Sequence, residues 1–145
     1  MSLDRNMQAE IIGQVLAVLA GVPQFGAAVV EDSVARVLDA EDADLPDEMI
    51  VLQEGDTVEL DRTPSNCKEQ WTINLVAMSR KRDAPQALRA ARLAIKRALK
   101  GSRAGIEVVG LISVEFPASS VRLPEPGRRW SYRVVPITFT YNQPL

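Results

Sequence analysis

Three groups of side chains in this sequence have the composition for chemistry: a carboxylate run at residues 39–48, a lone thiol at Cys67, and a cationic stretch at residues 79–100. Six acids fall in the first, Asp39, Glu41, Asp42, Asp44, Asp47 and Glu48, enough hard oxygen for calcium or magnesium. A calcium loop of the EF-hand kind needs oxygen ligands at alternate positions, glycine at the sixth and glutamate at the twelfth. Counted from Asp39, the sixth residue is Asp44 and the twelfth is Ile50. The spacing fails, and the run reads as a solvated acidic loop that meets a basic partner.

Cys67 has no histidine to activate it, because the chain contains none. That absence removes Ser-His and Cys-His nucleophile pairs and most zinc or iron sites. A single cysteine also excludes an intramolecular disulfide and therefore a stapled, secreted scaffold. Gly101 and Gly105 are spaced like part of a phosphate loop, but no Lys-Ser/Thr follows and they come after a helix, not before one. No catalytic, metal-ligating or cofactor-binding residue is expected, and the chain is not expected to be an enzyme.

The cationic stretch lies at about 100° per residue on a helix. Arg89, Arg92, Lys96, Arg97 and Lys100 then form one stripe, with Leu93 in its middle. An apolar side chain centred among cations suits a protein contact better than a phosphate track. Nucleic-acid binding calls for a basic domain or interleaved aromatics, whereas this chain has a pI near 5.2. The net charge of −2 conceals a division. Residues 1–61 hold two bases against fourteen acids, a net of −12, and residues 62–145 hold fifteen against five, a net of +10.

The elements that must position these groups follow from periodicity. The chain has 145 residues, 46% hydrophobic, which fits one domain over 1–145 with a proper core. Its apolar runs are too short for a membrane span. A helix is expected over residues 4–20, with Met7, Ile11, Val15, Val18 and Leu19 at helical spacing and Gly21 to end it. An extended piece is expected at 33–38, with a short helix as the other reading. Two short strands at 49–53 and 57–60 would be joined by a hairpin turn at Glu54-Gly55-Asp56, and residues 61–67 would form a loop. Residues 71–78 alternate as a central strand, with Trp71, Ile73, Leu75 and Ala77 on one face. The cationic helix runs over 84–100, with a capping box of Asp83 and Gln86, Pro85 in the first turn and Gly101 past its end. Strands follow at 106–116 and 129–141, the last at an edge or bulged because Pro136 cannot donate. Between them, residues 117–128 form an exposed arm. The fold class is α+β, a mainly antiparallel sheet with helices packed on one face.

This order is similar to that of a known family. A leading helix, an acidic loop with Leu45-Pro46 just before an apolar strand, the strand "WTINLVAM", an Asp-capped helix and two terminal strands together resemble the tail terminator (minor tail protein U type) proteins of long-tailed bacteriophages. The resemblance implies a structural protein that forms a ring, as a homohexamer, ending the tail tube. Its partners would be itself, the tail tube protein and the head–tail connector protein, with DNA only as passing cargo and no membrane. It implies a location in the host cytoplasm during assembly and in the virion tail thereafter. A ring joins unlike faces of successive subunits, and opposite charge favours that pairing. The expected interface residues are Arg89, Arg92, Leu93 and Lys96, or Arg128 and Arg129, against Asp39, Glu41, Asp42 and Asp44. A neck or tail completion protein of a phage or contractile injection system, or a small nucleic-acid-binding regulatory module, are the alternatives.

Overall fold

The computed structural model describes residues 5–101, 103–118 and 129–145, and at Asp42 the backbone alone. It is an α+β fold built on a mixed, mostly antiparallel five-stranded sheet. Helix α1 spans Met7–Leu19, and strand β1, Val29–Glu31, follows a short turn. Helix α2 is Val34–Asp39, and a single 3-10 turn at Asp42–Asp44 leads to β2, Glu48–Arg62. β3 is Asn66–Ser79, α3 is Ala84–Ala98, β4 is Leu111–Glu115 and β5 is Ser131–Pro144. The sheet order is β1-β2-β3-β5-β4. β1 runs parallel to β2 and every other pair is antiparallel.

Helices α1 and α3 cover one face. The Asn6 side chain accepts the Ala9 N–H at 3.1 Å to start α1, and Met7, Ile11, Val15 and Leu19 are fully buried beneath it. From α3, Ala84, Leu88, Ala91, Ile95 and Leu99 enter the same core, against Trp71, Ile73, Leu75 and Ala77 of β3 and Val135, Ile137, Phe139 and Tyr141 of β5. The alanines let the helix sit close to the sheet, and burying a residue such as Ile95 stabilises by about 1.5–3 kcal/mol.

Several expectations need correcting. Residues 33–38 are not extended: Ser33 Oγ accepts the Arg36 N–H at 3.2 Å and Gln53 Oε1 takes the Val34 N–H at 2.8 Å. Helix α2 follows, and Val34 and Val37, one turn apart, bury against Met49, Val51, Val76, Met78 and Trp130 on the face opposite α1 and α3. A crossover between parallel neighbours β1 and β2 supplies the place for it.

Glu54-Gly55-Asp56 is no hairpin turn. β2 runs straight through it, with a break in register between Glu54 and Thr57. A Cβ on Gly55 would lie 2.8 Å from the Thr72 carbonyl oxygen, so the glycine serves the close backbone approach at a bulge. The turn comes later, at residues 63–65, and the expected loop at 61–67 shrinks to it.

Asp83 precedes α3 without a side-chain capping bond, so the capping box is not formed. Gly101, at φ +97°, does make the left-handed exit. Only Leu111–Glu115 of residues 106–116 pairs as strand. β5 is interior where β4 lies beside it. β4 ends at Glu115, opposite Thr138, which leaves Pro136 past the end of that ladder. The expected arm at 117–128 lies largely outside the described residues.

Candidate assembly surfaces

The basic stretch divides into two parts with different fates. Its first residues bind the acidic segment of their own chain. The Arg80 guanidinium donates to the Leu45 carbonyl at 2.5 Å, approaches Asp47 at 3.4 Å and lies 4.9 Å over the Trp130 ring. Lys81 Nζ meets Glu48 at 2.9 Å, and that carboxylate holds the Lys81 ammonium pKa above its ordinary value. From the last connection, Arg129 donates to the Leu38 carbonyl at 3.2 Å. Arg129 therefore bonds its own chain beside the acidic run. Arg128 lies outside the described residues.

These contacts fasten both ends of the acidic segment and leave its middle to solvent. Asp39, Glu41 and Asp44 are exposed. No described cation lies within 4 Å of them. The side chain of Asp42 is outside the described residues. Leu38 and Leu45 pack on the α2 side of the sheet, so the three free carboxylates are carried there.

The second part, the α3 stripe, is on the other face. Arg89 and Arg97 are exposed, Arg92 and Lys96 half-buried, and Leu93 in their middle is 42% exposed. Among the described residues none of these cations has a carboxylate within 4 Å. Lys96 Nζ stands 5.7 Å from the Phe116 ring centroid, and with Arg92 it lines a cleft of about 180 Å³ against Phe116, Pro117 and Pro136. The structure thus joins Arg89, Arg92, Leu93 and Lys96 in one patch and Asp39, Glu41 and Asp44 in another, with the sheet between them.

Cys67 is buried at 2% exposure. Burial pushes its thiol pKa up, and the Glu59 carboxylate beside it pushes in the same direction, the reverse of what a nucleophile needs. A trough of about 650 Å³ on the open part of the α2 face was not expected from the sequence. Glu54, Asp56, Gln70, Thr72, Asn74, Glu115 and Thr138 line it, and the Thr72 and Thr138 hydroxyls bond across β3 and β5 at 3.0 Å. Its signal was present in β3, where Gln70, Thr72 and Asn74 are polar and Val76 and Met78 on the same face are not. Gly55, at the bulge, forms part of its wall, and residue types alone do not specify that bulge.

No helix among the described residues is long and apolar enough to cross a membrane. No family model matches the sequence, and no curated protein is similar to it at a significant level.

Proposed function

We propose that this protein is a structural subunit that assembles head to tail into a ring, in the manner of the phage tail terminators its element order resembles. One observation carries the reading: among the described residues, four cations around Leu93 without a carboxylate within 4 Å lie on one side of the sheet and three carboxylates without a cation within 4 Å on the other. Patches of opposite sign on opposite faces favour contact between unlike faces and oppose contact between like ones. Had the two charged halves cancelled within the molecule, no such polarity would remain. Arg80 and Lys81 do cancel locally, and among the described residues the stripe does not. On this reading the tube and connector proteins are further partners, and a neck or completion protein would use the same contacts.

The test is native mass measurement with electron microscopy of the purified protein. A ring is expected, and reversing Arg92 and Lys96 to glutamate should dissociate it. A ring that forms unchanged from the reversed variant at low salt removes the stripe from the interface, and a monomer at every concentration removes self-assembly. The unpaired cations also favour a second reading, nucleic-acid binding. Its mark would be affinity for duplex DNA that falls steeply with salt, and loss of that affinity in the same variant.

A further inference from the structure

Among the described residues the sheet has two free edges, and they lie level with one another. β1 pairs only with Ile50, Val51 and Leu52 of β2, so the outer edge of residues 57–62 has no strand beside it among the described residues. At the far side, the outer edge of β4 is likewise open. Three rows cross the sheet between them. Leu111 is level with Tyr141, Glu69 and Glu59; Ser113 with Thr140, Gln70 and Val58; Val114 with Phe139, Trp71 and Thr57. Unpaired strand edges present ready backbone donors and acceptors, and both carry exposed apolar side chains, Val58 at 52% and Leu60 at 49% on one, Ile112 at 42% on the other.

From this geometry we infer that β4 of one subunit pairs antiparallel with residues 57–60 of the next, extending one sheet from protomer to protomer. The inference rests on the assembly reading and moves its contact to the sheet edges, because a sheet continued edge to edge keeps the α3 stripe and residues 39–44 on opposite faces. Three features select the occupant as a second copy in this orientation. Within the chain β4 runs opposite to β2, since β2 and β5 point the same way and β4 opposes β5. Rotation about an axis along the strands preserves those directions, so the new pair is antiparallel. A cyclic ring allows no rise between subunits, and edges on the same rows need none.

Charge supplies the third feature. Two copies of the β2 edge face to face would oppose Glu54, Asp56, Glu59 and Asp61, and like charges across a strand pair destabilise it. The β4 edge carries a single carboxylate, Glu115, and has Lys96 of α3 beside it over Phe116. Glu54 sits on the row of Ile73, at the register break in β2, where it also borders the trough on the α2 face. Ile73 is level with Ile137, one step beyond Thr138, where β4 ends and Phe116 follows. The edge pairing would therefore bring Lys96 of one subunit to the acidic edge of the next.

The test places cysteines at level positions, Val58→Cys with Ser113→Cys, in a Cys67→Ala background, and applies a short bismaleimide to the full chain. A ladder of cross-linked multimers is expected from the double variant and none from either single one. Should that variant fail to fold, Leu60→Cys with Ile112→Cys, both exposed, asks the same question. Rings seen by microscopy that give no ladder overturn the edge pairing while leaving the assembly reading intact. Cross-linked dimers from a single variant overturn it in favour of a symmetric contact, and a chain monomeric at all concentrations overturns both.

Discussion

Replacing Arg80 by alanine should be the most damaging change at any basic residue of this chain. Its side chain is 14% exposed, and contacts with Leu45, Asp47 and Trp130 end on it. A hydrogen bond from a charged donor contributes about 1.5–3 kcal/mol, and here it goes to the Leu45 carbonyl at 2.5 Å. Its position over Trp130 adds about 0.5–1 kcal/mol or somewhat more for a desolvated pair. Asp47 adds little, because that carboxylate is 64% exposed and solvent-screened ion pairs contribute about 0–1 kcal/mol. Arg80→Ala should therefore cost about 2–4 kcal/mol, and Arg80→Lys, which keeps the charge and loses the planar fork, roughly half as much. Asp47→Ala should cost less than about 0.5 kcal/mol. Denaturant titration of the three variants measures this, and hydrogen exchange locates it, with protection lost first around residues 38–48, which Arg80 and Arg129 tether. An Asp47 variant as unstable as the Arg80 variant would refute the reasoning, since the ion pair would then outweigh the carbonyl bond and the ring contact.

Gly55→Ala drives a methyl group to 2.8 Å from the Thr72 carbonyl and should cost about 1–3 kcal/mol as an overpacked contact; a chemical melt unchanged from the parent would show that the bulge relaxes freely. The Tyr141 hydroxyl is pushed well above the ordinary phenol range, chiefly by burial, while it donates to Glu69 at 3.0 Å and takes a bond from Gln8 at 2.9 Å. A folded pKa raised above the unfolded one contributes stability that is complete below about pH 10 and is lost as pH rises beyond it, because the unfolded chain then releases the proton first. Melting temperatures between pH 9 and 11 should fall more steeply for the parent than for Tyr141→Phe, and equal slopes would count against this account.

Periodicity made the two long helices and the central strand legible. Met7, Ile11, Val15 and Leu19 can bury together only on a helix, and Trp71, Ile73, Leu75 and Ala77 only on a strand, so local pattern and tertiary need agree there. Residues 33–38 were harder, because a six-residue element carries too few apolar positions to separate periods of 2 and 3.6. Its helix is fixed by Gln53, nineteen residues away, whose carbonyl holds the Val34 N–H. Glu54-Gly55-Asp56 has the composition of a turn, yet the same glycine serves a bulge when a partner strand continues past it. Nothing within β2 announces that β3 does so.

The charge division followed from the sequence by itself, as did the amphipathic character of the α3 helix and the lack of a histidine-based site. Those properties belong to residue types and short spacings. Which cations remain free was decided by the tertiary structure. Arg80 and Arg89 are equally basic in the sequence, but only Arg80 emerges from the end of β3 beside Leu45 and Trp130, where its charge is taken up. Likewise the two open edges are ordinary strand segments until pairing through β3 and β5 sets them on the same rows, a relation held by long-range register and invisible to any local window.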